Sequence, residues 1–120
     1  MRVLGPLFLF SVSQSLAWAG LEWEAMRREV RPEAGEKVVV AAFPFRNSGE
    51  AALKIDGIQT SCGCTAAKAE PKEIPAGGSG SIEVRFTAGK RTGVQLAGVI
   101  IRTSDGQRHK LVLRVELPER

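Results

Sequence analysis

Ile82-Glu83-Val84-Arg85-Phe86-Thr87 alternates apolar with charged or polar residues without a break. Successive side chains leave a strand on opposite sides, so a period of two marks an extended segment with one dry face. Ile82, Val84 and Phe86 line that face, and Glu83, Arg85 and Thr87 line the wet one, as in an antiparallel sheet packed on one side. The pattern recurs on either side of this stretch. Leu111, Leu113, Val115 and Leu117 alternate with Lys110, Val112, Arg114 and Glu116 until Pro118 ends the run. Glu36 to Arg46 carries Val39, Ala41, Phe43 and Phe45 on one parity and Val38, Val40 and Ala42 on the other, which predicts a central strand covered on both faces. Pro44 lacks an amide donor and predicts a bulge or an edge near that end. Val94 to Thr103, with Leu96, Val99, Ile100 and Ile101, reads as another covered strand.

Turn chemistry separates these runs. Asn47-Ser48-Gly49-Glu50 reads as a turn, with Asn47 as a turn former. Leu53 and Ile55 then share a face, and Asp56-Gly57 shifts the parity before Ile58, which predicts a bulge. The Asp105-Gly106 pair within Ser104 to Gln107 predicts a type I′ hairpin turn. Ala66 to Gly80 is dominated by proline and glycine turns, with a short extra strand around Ala66 to Ala69. Leu21 to Val30 is read as a first strand in preference to a short helical turn. About seven short strands with regular turn signals give an all-β chain and predict an antiparallel β-sandwich. Each full burial of Val, Ile, Leu or Phe contributes roughly 1.5–3 kcal/mol. That gain requires two sheets face to face, because a lone sheet leaves half of those side chains wet.

Residues 1–19 read as a secretory signal peptide. Arg2 supplies a positive start, Val3 to Val12 is largely apolar, and Ala17-Trp18-Ala19 fits a small-x-small cleavage site. The apolar run falls short of the about 20 residues a membrane span needs. Residues 20–120 then form a single domain, long enough to bury a core. The formal net charge of +4 falls by one with the loss of Arg2. The basic residues alternate with apolar ones along strands, which does not resemble the clustered stripe of a nucleic-acid binder. The expected location is exported, periplasmic or secreted, with no membrane span and no nucleic-acid partner.

Ser61-Cys62-Gly63-Cys64-Thr65 holds both cysteines of the chain. Three readings are open for Cys62 and Cys64. As part of a continuing strand they would point inward as buried free thiols, although Gly63 between them suggests a bulge or a close backbone approach. As a disulfide they need a sharp turn at Gly63, because residues two apart in a strand are about 6.6 Å apart at Cα with parallel Cβ vectors. As thiolates they could ligate Cu(I), a soft ion that two sulfurs satisfy. Zinc asks for four ligands, and the chain offers two cysteines and one histidine; neither His109, in the far hairpin region, nor Met26 is a good third ligand for Cu(I). His109 reads as a solvated residue beside the Gln107-Arg108 turn. A thioredoxin-type enzyme would carry Cys-x-x-Cys at a helix start, and no nucleophile, base and orienter occur together. The chain is therefore expected to be no enzyme and to carry no cofactor.

Phe43-Pro44-Phe45-Arg46-Asn47-Ser48-Gly49, Leu53-Lys54-Ile55, the Cys-Gly-Cys-Thr element, Ile74-Pro75-Ala76-Gly77-Gly78 and Arg91-Thr92-Gly93 together resemble the bacterial domain-of-unknown-function 1573 family. The likeness covers nearly all of residues 20–120. It implies an immunoglobulin-like sandwich, similar to the Hydin and major-sperm-protein domains, that works as a binding or scaffold module. The resulting expectation is an exported, non-catalytic module with a protein or envelope partner. A Cu(I) protein using Cys62 and Cys64 is the alternative, and a thiol–disulfide oxidoreductase comes third. N-terminal sequencing of exported protein should begin at Gly20. Recovery of intact Met1 from the periplasm or medium would refute the leader.

Overall fold

Period-two patterning becomes strand wherever it occurs in the computed structural model, which describes residues 20–119. The leader expected over residues 1–19 lies outside the described residues. The strands are β1 (Leu21–Trp23), β2 (Arg27–Val30), β3 (Val38–Asn47), β4 (Leu53–Thr60), β5 (Thr65–Glu70), β6 (Glu73–Ile74), β7 (Ser79–Thr87), β8 (Gly93–Thr103) and β9 (Arg108–Leu117). The first sheet has the order β1-β3-β7-β5 and the second β2-β9-β8-β4-β6. Nine strands thus stand among the described residues where about seven were expected.

The core lies between the sheets. Leu53, Ile55, Ile82, Val84, Phe86, Leu111, Leu113 and Val115, all assigned inward from parity, are buried. Phe43 and Phe86 are the largest fully buried side chains, one on each of the paired central strands of the first sheet. Gly80 is where this packing is tightest. A Cβ there would stand 2.8 Å from both the Glu70 carbonyl oxygen and Phe45 Cζ, so only glycine lets β5 and Phe45 close on β7.

Several expectations need correction. Leu21 to Val30 is two strands, because the chain leaves β1 in the first sheet and joins the second as β2. There β2 pairs with β9 in parallel, Arg27 beside Val112 and Val30 beside Val115, so the sandwich is not wholly antiparallel. β3 and β8 are not covered on both faces. Val38 and Val40 are 43% and 52% exposed, and Val94 and Leu96 are 49% and 61% exposed, since no further layer lies outside either sheet among the described residues. The Asp105-Gly106 turn is not type I′. That turn needs positive φ at both central residues, and only Gly106 has it (φ 84°). Thr103 and Gln107 instead close a three-residue loop, with Gly106 N–H donating to the Thr103 carbonyl at 3.0 Å.

Other expectations hold. The β4–β8 register shifts between Ile55 and Gly57, the bulge predicted at Asp56-Gly57. β5 is the extra strand foreseen near Ala66. The Pro44 carbonyl accepts from Glu24 N–H at 3.1 Å, just past the end of β1. The nitrogen and carbonyl of one strand residue face the same neighbour, so the missing Pro44 donor faces an edge.

Phe86→Ala should cost about 3–5 kcal/mol in a denaturant titration, as large-to-small core changes do. A loss below about 1 kcal/mol would place β7 on the wrong face.

Candidate functional site

The Cys62–Cys64 segment is the turn by which the chain crosses from β4 in the second sheet to β5 in the first. Ser61 extends the β4–β8 ladder by one step. Its N–H donates to the Gly98 carbonyl, and its hydroxyl accepts from Gly98 N–H, both at 2.9 Å. Thr65 N–H returns to the Cys62 carbonyl at 3.2 Å, and Thr87 N–H on β7 donates to the Cys64 carbonyl at 2.8 Å. This contraction brings the two Cα atoms to 5.3 Å, and the sulfurs are joined as a disulfide. The buried Thr65 hydroxyl lies 3.5 Å from Cys62 Sγ and 3.7 Å from Cys64 Sγ, and Cys64 N–H lies 3.3 Å from Cys62 Sγ.

Of the three readings open for the pair, the structure contains the disulfide; the buried free thiols are not found. Neither sulfur is then a thiolate that could hold Cu(I). Among the described residues no group of three or more His, Cys, Asp or Glu side chains could hold a metal ion. Gly63 is not required for the turn by sterics. Its φ is not positive, and a Cβ there would meet nothing within 4 Å.

Two polar residues behave otherwise than their local sequence suggested. His109 is not solvated but 7% exposed, on the inward parity of β9 with Leu111 and Leu113. Trp23 Nε1–H donates to His109 Nδ1 at 3.1 Å and ties β1 of the first sheet to β9 of the second. An indole can only donate, so the neutral ring carries its proton on Nε2, which lies 3.4 Å from Thr103 Oγ1. The Thr103 hydroxyl in turn donates to the Asp105 carboxylate. Trp23 also packs edge-on against Phe45, with ring centroids 5.2 Å apart.

Asn47 is fully buried rather than a simple turn former. Its amide nitrogen donates to the carbonyls of Ala51, Ile74 and Pro75 at 2.9, 3.1 and 3.3 Å, and its oxygen accepts from Gly49 N–H at 3.0 Å. Period-two parity was the available signal for both residues. Asn47 follows Phe43 and Phe45, and His109 precedes Leu111 and Leu113.

Open clefts flank these features. One of about 520 Å³ is lined by Ser48, Glu50, Leu53 and Asp105 among others, and it pairs no nucleophile with a base. His109 and Thr103 are buried, and Asp105, at the outer end of this hydrogen-bonded chain, is exposed on the rim of that cleft.

Fold and site define a disulfide-clipped β-sandwich domain whose buried polar side chains are all hydrogen-bonded within the described chain. The chain belongs to the DUF1573 family of proteins of unknown function, which matches residues 21–117. A protein of unknown function from Porphyromonas gingivalis W83 is similar, with TM-score 0.71 and 21% identity over 82% of this chain and 46% of that one. The secreted serine protease VesC from Vibrio cholerae matches with TM-score 0.61 and 15% identity over 82% of this chain and 23% of that one. This chain therefore spans less than half the length of either. The ASH/PapD-like domain 7 of human CEP192 matches at domain scale, with TM-score 0.59 and 12% identity over 85% of this chain and 87% of that one. At these identities the likeness concerns fold alone. No curated protein matches the chain significantly.

Burial pushes the His109 imidazole below the ordinary histidine value, and the nearby Asp105 carboxylate opposes that shift. A histidine in the unfolded chain titrates near about 6.5. Between the two values the unfolded chain binds a proton that the folded chain refuses, so this contribution is complete above pH ~6.5 and declines as pH falls below it. Protonation also puts a donor on Nδ1 opposite the Trp23 donor. The denaturation midpoint should fall between about pH 7 and pH 5. His109→Gln should flatten that dependence. An equal slope in the variant would mean that other groups carry it.

Proposed function

We propose that the protein is an exported, non-catalytic, immunoglobulin-like module of the bacterial envelope, in which Cys62–Cys64 is a structural clip. The observation that carries this reading is the disulfide itself, set in a sheet-to-sheet turn and bonded to β7 and β8 through backbone groups. A thiol pair retained for turnover would need one sulfur to serve as an attacking thiolate.

Strand order supports the finer fold assignment. Taking β1 and β2 as one split first strand and setting aside the two-residue β6 leaves seven strands. The first sheet then reads A-B-E-D and the second has C-F-G, with the split strand alongside G. Apart from the strand added beside G, these are the two strand sets of the constant-type immunoglobulin domain, which supports the immunoglobulin-like reading. Likeness to part of a secreted protease fits an exported location, as does a disulfide.

The test is intact-mass measurement on protein taken from the exported fraction and alkylated under denaturing conditions. No alkyl group should add before reduction and two should add after it. The Cys62→Ala/Cys64→Ala double variant should fold and lose about 1–2 kcal/mol, because closing so short a ring removes little chain entropy. Both cysteines alkylating without reductant, catalysed refolding of a reduced substrate protein, or copper retained through chelator challenge would each overturn the reading.

A further inference from the structure

The two outer faces of the sandwich differ in charge. On the first sheet Arg46, Lys68 and Arg85 are matched by Glu22, Glu70 and Glu83, and Arg85 pairs with Glu83 at 3.9 Å. On the second sheet the outward parity of β8 and β9 is apolar toward the Gly93 end and basic toward the β8–β9 turn. Val94, opposite Glu116, and Leu96, opposite Arg114, are exposed, and the half-buried Ile100 and Val112 continue the strip toward the basic end. Gly98 lies beside Val112 and puts no side chain next to Leu96 on the outward side of β8.

Arg102 and Arg108 stand directly opposite each other at one end of this strip, and Lys110 stands opposite Ile100. Arg27 on β2 lies beside Val112. None of these four cations is in an ion pair among the described residues. Like charges set across a ladder repel and cost stability, so the arrangement gains nothing for the isolated fold. Fewer carboxylates share this face, with Glu116 opposite Val94, Glu29 beside Arg114, and Asp56 lining one cleft with Arg102 and Arg108. Glu116 is held between Arg31 and Arg114, at 2.9 and 3.4 Å, Glu29 is on the edge strand β2, and Asp56 and Glu73 are on the β4–β6 side.

We propose that this outer face of the second sheet docks on an anionic phospholipid bilayer, with Leu96 and Val94 entering the headgroup boundary and Arg27, Arg102, Arg108 and Lys110 meeting lipid phosphates. The inference rests on the exported, envelope-associated reading above. Exposed apolar side chains on a face with an excess of unpaired cations are what an anionic membrane surface rewards. A second copy of this chain fits poorly, because stacking about a two-fold axis sets Arg102 and Arg108 against the Glu116 end, whose carboxylate Arg31 and Arg114 already hold. An extended peptide fits poorly too. β8 and β9 are interior strands whose backbone groups are engaged in the sheet, so a peptide laid on them would gain no strand hydrogen bonds.

The experiment uses protein recovered after export, with its N-terminus read first. It is sedimented with vesicles of phosphatidylglycerol and phosphatidylcholine in equal parts, and with phosphatidylcholine alone. Wild type should sediment with the anionic vesicles and remain free of the neutral ones, with binding lost on moving from about 50 to about 500 mM salt. Leu96→Asp and the Arg102→Glu/Arg108→Glu variant should each reduce the bound fraction roughly tenfold. Val40→Asp, on the opposite face, should leave it unchanged. The lipid assignment is overturned by absence of binding at low salt, by equal loss in Val40→Asp, or by binding that survives Leu96→Asp. A dimer in analytical ultracentrifugation that Leu96→Asp dissociates would assign the face to a second copy instead. Failure here with the disulfide intact and a processed N-terminus removes the lipid and leaves the module.

Discussion

Asn47 occupies the corner where the chain leaves β3 in the first sheet for β4 in the second, and its carboxamide gathers the segments that meet there. Its side chain serves the carbonyls of Ala51, Ile74 and Pro75 together with the amide of Gly49. Its backbone pairs with Gly77 and Gly78. A buried carbonyl without a partner costs about 1–3 kcal/mol, so the fully buried amide stands in for several such costs at once. Ile74 is pinned by the same contact and fills the core beside Leu53. The apolar faces come together only because the crossings between sheets are satisfied in this way.

The disulfide turn and the Trp23–His109 contact solve the same problem at other crossings. Ser61 carries the ladder one residue past β4, Cys62 and Cys64 draw the chain round, and Thr87 receives it at the first sheet. Trp23, at the end of β1, reaches across to β9 before the chain changes sheets. Covalent and polar links thus stand where strand pairing is interrupted, while the strand interiors are held by side-chain burial.

Parity made the inward face readable from sequence, because alternate placement is a property of the extended backbone itself. Phe86, Leu113 and the Asp56-Gly57 bulge follow from it directly. The outward faces were misread in β3 and β8, where valines and leucines on both parities suggested a covering layer. Composition reports what could be buried, and only the neighbours decide what is. His109 and Asn47 were judged by residue type and by adjacent turn residues, although their parity already pointed inward. The Trp23 partner lies 86 residues from His109, a separation that local patterning does not reach. Spacing alone left the cysteines open because the disulfide depends on how far the turn contracts the backbone, and Gly63 proved no guide to that. The split of Leu21 to Val30 between two sheets likewise depends on tertiary pairing with β3 and β9.

The parallel pairing of β2 with β9 joins the first part of the domain to its last strand. A pull on the amino-terminal end of β2 against the carboxy-terminal end of β9 runs along the strands and loads their backbone bonds side by side. Those bonds must then give way as a group, whereas an antiparallel terminal pair pulled at one end would open one bond at a time. Once tension has passed β1 and reached β2, it meets this pair along the direction in which its bonds resist together.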